Sequence, residues 1–196
     1  MAVKFDPAKH HRRSIRLAGF DYAQAGSYFV TICTQNRECV FGEVVQGQMI
    51  SNGRGQMVES VWHQLPQHYT RVKADAFVVM PNHVHGIVIL VGAGPGACPD
   101  RSGQPQGVAP TGAMSLTDVV QRFKSLTTAQ YRWGVRKDGW LPFSGRLWQR
   151  NYYEHIIRAE DELCRVRQYI ADNPLRWAED PENPLVADRV AGGMST

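Results

Sequence analysis

Met80-Pro81-Asn82-His83-Val84-His85-Gly86-Ile87-Val88-Ile89-Leu90 joins a turn signal to an apolar run that carries two histidines one residue apart. The stretch just before it, Ala76-Phe77-Val78-Val79-Met80, is β-branched and aromatic, so residues 72 to 90 predict a hairpin in the middle of a sheet, turning at Pro81-Asn82. Side chains at i and i+2 of a strand share a face. His83 and His85 therefore sit side by side, each able to offer a neutral ring nitrogen to one ion. Two histidines packed on a sheet face would show the same spacing, so the rest of the chain has to separate the two readings.

Upstream, Ser27 to Thr34 alternates and is rich in β-formers, as a first strand should be. Val40 to Val45 and Gln48 to Ile50, on either side of Gly47, predict a peripheral hairpin. From Gln56 to Leu65, Met57, Val61 and Leu65 recur at helical spacing, Val58 and Trp62 widen the stripe, and Pro66 closes the segment. Downstream, Val91 to Ala113 is so rich in glycine and proline that it predicts a flexible insertion rather than a second domain. Ser115 opens a second helix with Asp118 in capping-box position, and Val119, Phe123 and Leu126 form its stripe up to about Trp133. Lys124 lies off that stripe as a candidate phosphate contact. A last helix begins at Glu160-Asp161-Glu162, buries Leu163, Val166 and Ile170, and stops at Pro174. Tyr169 and Asn173 stand one turn apart on it, beside the apolar stripe.

With 196 residues, 43% of them hydrophobic and 20% charged, the chain suits one globular domain, its core at about residues 12–180. No apolar run is long enough to span a bilayer and the first residues lack a secretory h-region, which predicts a cytoplasmic protein with no membrane partner. Four cysteines without a Cys-x-x-Cys pair predict reduced thiols. The net charge of +4 is concentrated. His10-His11-Arg12-Arg13-Ser14-Ile15-Arg16 forms one basic group. A second, Arg132, Arg136, Lys137, Arg146 and Arg150, is interleaved with Trp133, Trp140 and Trp148. Basic residues neutralise phosphates and indole faces stack on unpaired bases, a combination suited to single strands; tryptophans in a core beneath a solvated surface would give the same pattern.

Taken together, Gly26 to Thr31, Val79 to His85, Trp148-Gln149-Arg150-Asn151-Tyr152-Tyr153-Glu154-His155-Ile156-Ile157-Arg158 and Tyr169-Ile170-Ala171-Asp172-Asn173-Pro174 resemble the HUH single-tyrosine transposases, in particular the REP-associated tyrosine transposases. The resemblance covers the chain from about Arg12 to Pro174. It implies an α+β, ferredoxin-like fold: an antiparallel sheet with helices on one face and a metal site at the sheet. His83 and His85 match the family's metal ligands, Asn173 its third ligand, and Tyr169 its nucleophile. The implied cofactor is a divalent metal, Mg or Mn. The implied substrate is single-stranded DNA at hairpin or palindromic sites, nicked and rejoined through a 5′-phosphotyrosine by a monomer or homodimer. Tyr152 and Tyr153 are competing tyrosines, expected to pack or stack. Arg12, Arg13, Lys124, Arg150, Arg158 and His155 are expected DNA contacts, and His155 is expected either to line the active site or to pack under the sheet edge. The glycine-proline insertion and the tail after Pro184 depart from the family pattern. A non-catalytic single-stranded nucleic-acid-binding protein of the same fold is the alternative reading, and a zinc-stabilised structural domain a third.

Overall fold

The computed structural model of the chain describes residues 21–92 and 114–186. The basic run with Arg12 and Arg13, and all but the first two residues of the expected insertion, lie outside them. In chain order the elements are β1 (Gly26–Cys33), a hairpin of β2 (Gly42–Val45) and β3 (Gln48–Ser51), α1 (Gly53–His68), β4 (Val72–Val79), β5 (His83–Leu90), α2 (Leu116–Lys137), β6 (Tyr153–Ile157) and α3 (Glu160–Asp172). Single 3-10 turns occupy Gln35–Arg37 and Pro174–Glu179.

Four strands form one antiparallel sheet in the order β4-β5-β1-β6, and β2 and β3 pair separately. The path β1-α1-β4-β5-α2-β6 with that order is the ferredoxin-like arrangement, in which each helix crosses over an intervening strand. Strand alternation sends Tyr28, Val30 and Ile32 of β1 and Val84 and Val88 of β5 to the face covered by α1 and α2, where they meet Val58, Trp62, Leu65, Val119 and Phe123 in the main core. The opposite face collects Phe29 and Ile87 with Ile157 and the α3 residues Leu163 and Ile170. Two helices thus share one face as expected, while the tyrosine helix α3 lies on the other. Its apolar stripe demanded burial, but nothing in that stripe specified which side of the sheet would bury it.

Two local features shape this sheet. In β4 the register slips between Ala74 and Phe77, a bulge that returns Phe77 to the core face and leaves Asp75 at the α3 side, where Arg167 grips it through two hydrogen bonds of 2.6 and 3.1 Å. In β5, Gly86 lets the Trp62 indole lie directly on the backbone, since a Cβ there would come within 2.5 Å of the ring. Trp62 then stacks on Phe77 at 4.4 Å.

Local chemistry explains the helix ends. Asn52 caps α1 by accepting from the N–H groups of Arg54 and Gly55. Pro66 does not close α1: the helix continues to His68, because a proline in the last turn removes only one backbone bond. Ser115 and Asp118 form the expected capping box of α2, although Leu126 is exposed and Thr127 takes the buried position. The β2–β3 turn places Gln46 and Gly47 at positive φ, as two-residue hairpins require, and packs against Leu175 of the C-terminal 3-10 turn. No helix among the described residues is long and apolar enough to cross a membrane.

Candidate metal and tyrosine site

On the α3 face, β5 delivers His83 and His85 side by side, with their Nε2 atoms 3.0 Å apart and both rings buried. Each ring is held by its other nitrogen. Asn82 donates through its amide nitrogen to the carbonyls of Glu182 (2.7 Å) and Arg37 (3.1 Å), so its Oδ1 faces His83 and accepts from Nδ1–H at 2.9 Å. That leaves a lone pair on His83 Nε2, pointing into the site. His85 Nδ1 meets the Thr31 hydroxyl, which can donate or accept, at 2.8 Å.

The C-terminal end of α3 supplies the rest. Tyr169 is 41% exposed and stands edge-on to His85 and to Phe29, which itself stacks on His85. Asn173, the C-cap of α3, is buried against His83, Tyr169 and Asp180. Its Oδ1 has no hydrogen-bond donor. From Pro174 the chain turns back over the site and returns Asp180, whose Oδ2 lies 3.8 Å from His83 Nε2.

Burial dominates the electrostatics. It keeps His83 well below the ordinary imidazole range, assisted by the neighbouring His85, and lowers His85 to about 3. Both rings are neutral, the form in which imidazole binds metals. Burial also raises Asp180, and it raises Tyr169, with the negative charge of Asp180 adding to the effect. Tyr169 is a protonated phenol in this setting.

His83, His85 and Asp180 present ligand atoms that all lie within 4.8 Å of one another and could hold a metal ion. The two Nε2 atoms are 3.0 Å apart, the length of a direct N–H···N hydrogen bond between the rings and also the separation of two imidazole nitrogens about 2.1 Å from one ion at a right angle. The Asn173 Oδ1 is a buried acceptor lacking a donor, which a cation would satisfy. Thr31 and Asn82 provide the outer hydrogen bonds that orient metal-binding histidines.

The structure brings four of the expected site residues together: His83, His85, Tyr169 and Asn173. Asp180, which the sequence reading missed, joins them. It lies beyond the helix on an aperiodic segment, and its only signal was an acid shortly after the tyrosine helix. The remaining expected residues lie elsewhere. Lys124 spends its ammonium on the carbonyls of Gln149, Arg150 and Asn151 at 2.9, 3.3 and 3.1 Å, holding a loop in place. His155 neither lines the histidine site nor packs beneath the sheet edge; its exposed ring pairs with Glu162 at 2.6 Å. Trp148 is a core residue against Phe41 and Phe123, its indole N–H donating to Thr127. Tyr152 is buried, Tyr153 is exposed beside Phe29, and Arg150 and Arg158 are both exposed.

No protein-family model matches the chain. Among solved structures, it is similar to a REP-associated tyrosine transposase bound to a REP hairpin, with a TM-score of 0.53 and 17% identity, covering 84% of this chain and 74% of that one. The four-stranded antiparallel sheet and its helices thus have the α+β fold of that transposase. By sequence, the chain is 39% identical over 182 residues to an uncharacterized protein of Haemophilus influenzae, covering 92% of this chain and 97% of the relative. It belongs to one family with that protein.

Proposed function

We propose that the chain is a divalent-cation-dependent transposase that cuts and rejoins single-stranded DNA at hairpin sites, with Tyr169 as its nucleophile. The observation that carries this reading is the donorless, buried Oδ1 of Asn173, one helical turn from a tyrosine and adjoining two neutral histidines and a carboxylate. His83, His85, Asn173 and Asp180 would hold the cation; their oxygen donors suit Mg or Mn. Bound there, it would supply Lewis-acid polarisation of the scissile phosphate.

This chain's own residues do the rest. Phe29, packed against both His85 and Tyr169, holds the phenol ring beside the histidines. The Tyr169 oxygen attacks phosphorus, the bond from phosphorus to the 3′ oxygen breaks, and a 5′-phosphotyrosine remains. The phenol proton is released in the attack and the departing 3′ oxygen takes one up. One phosphodiester replaces another, so a second 3′ hydroxyl can reverse the step without an external energy source. The structural neighbour's hairpin-bound state supports hairpin DNA as the substrate.

The test is a cleavage reaction on single-stranded hairpin oligonucleotides with Mg or Mn, resolved on a denaturing protein gel. A covalent protein–DNA band is expected that needs the metal, and Tyr169→Phe should reduce it by on the order of 10⁴-fold or more. A band that survives in Tyr169→Phe would transfer the role to Tyr153, because Tyr152 is buried in the core. Binding without any band would leave a non-catalytic DNA-binding protein of this fold.

A further inference from the structure

Next to the end of β1, the segment from Leu147 to Arg150 is laced onto the sheet. Thr34 bridges Trp148, Gln35 N–H donates to the Leu147 carbonyl at 2.8 Å, and Gln149 N–H donates to the Cys33 carbonyl at 2.9 Å. Cys33 is the register partner of His83. Between this segment and α2 opens a cleft of about 420 Å³, with Arg132 on the helix side and Arg146 and Arg150 on the segment side. Lys124 fixes the segment through three carbonyls, so the wall that carries Arg150 is anchored to α2.

Three exposed arginines from two elements line this one concavity, Arg132 with its guanidinium over the Phe143 ring at 5.8 Å, and among the described residues none of the three forms an ion pair with a carboxylate. Like charges gathered in this way raise the local concentration of anions, and the guanidinium fork matches phosphate oxygens. Stacking is not what the cleft offers. Trp148 is only 4% exposed, with its ring packed on Phe41 and Phe123, and Trp140 packs on Tyr131 and covers Gly134. From the cleft the chain runs straight into β6, whose Tyr153 is paired with Thr31, the residue that holds His85.

We infer that this cleft is a track for the phosphate backbone of the single strand that reaches Tyr169, reading charge and spacing rather than base identity. The inference rests on the reading of the chain as a DNA-cleaving enzyme and adds the route of the strand to it.

Fluorescence anisotropy of the full chain with a labelled hairpin oligonucleotide carrying a single-stranded extension, repeated over a series of salt concentrations, tests it. Replacing Arg132, Arg146 and Arg150 together by Gln should flatten the plot of log affinity against log salt by about 2, roughly 0.7 for each single-strand phosphate no longer neutralised. The same three positions changed to Lys should keep the wild-type slope, and extensions of different base composition should bind alike. A Mn titration and a melting curve of each variant report whether the histidine site and the fold are intact, and single Gln variants replace the triple one if it unfolds. If the wild type binds DNA and the Gln variants keep its slope, the cleft is overturned while the enzyme reading stands. If the wild type binds no hairpin at all, both fall.

Discussion

The two faces of the central sheet are built from the same strands by alternation, yet they have opposite characters. Under α1 and α2, Tyr28, Val30, Ile32, Trp62, Val84 and Phe123 close a core of large apolar side chains. Under α3 the apolar cluster is small, and beside it lie buried His83, His85, Asn173 and Asp180. Burying such groups without full hydrogen bonding is costly, so one face must supply the stability that the other consumes. The division gives the tyrosine site freedom to be polar, underpaired and preorganised.

The sharpest probe of this contrast is Trp62→Ala. It empties the space over Gly86 beside Phe77 and Phe123, and should cost about 3–5 kcal/mol in urea unfolding, while Mn affinity of the folded protein stays unchanged. Loss of Mn binding without loss of stability would break the division of labour.

Acid should act on the other face. In chelator-treated protein, burial holds both histidines neutral, with His85 at about 3 and His83 also well below the ordinary imidazole range. The unfolded chain then binds up to two more protons as pH falls below about 6.5, so stability declines with acid, by at most about 2.7 kcal/mol per pH unit. Asp180 is raised instead and favours the folded state as it protonates, offsetting part of the loss. Asp75, lowered by its hydrogen bonds from Arg167, gives up its contribution only at still lower pH, as pH falls through its folded value. A urea midpoint that is flat between pH 7.5 and 5 would contradict neutral burial of the pair.

Thr31→Val is the mildest of the three. It removes the outer partner of His85 at nearly constant volume, and should weaken Mn binding by about 10- to 100-fold with unfolding by urea at neutral pH little altered. Unchanged affinity would mean that packing against Phe29 alone orients the ring.

Much of this was legible because it is periodic. Alternation located β1 and the histidine strand, and the i, i+2 spacing put both rings on one face. Ser115 and Asp118 announced the start of α2, and spacing put Tyr169 and Asn173 one turn apart on one helix, while their place beside the histidines came from the family resemblance. Periodicity carries no information about which face of a sheet a helix will cover, so the position of α3 had to come from the structure. Nor does composition say whether an aromatic residue among arginines points inward. For Trp148 the sequence left a stacking face and a core residue open, and the structure places it in the core; Lys124, a candidate phosphate contact, also clamps three backbone carbonyls. Asp180 was invisible for a different reason. It reaches His83 through a turn with no repeating pattern, across nearly half of the chain.

That return path has a consequence for timing. The hydrogen bond from Asn82 to the Glu182 carbonyl closes a loop of 100 residues, and Glu182 also ties to Arg37 at 2.7 Å. Closing so long a loop is entropically expensive, and a segment made of short turns belongs to the part of a protein that opens first. On a ribosome the histidine strand would emerge and pair with β1 long before Asp180 left the exit tunnel. The site would thus be assembled twice over, first as a half-site of two rings and then as a full one, and a nascent chain would carry its tyrosine without the last of its acids.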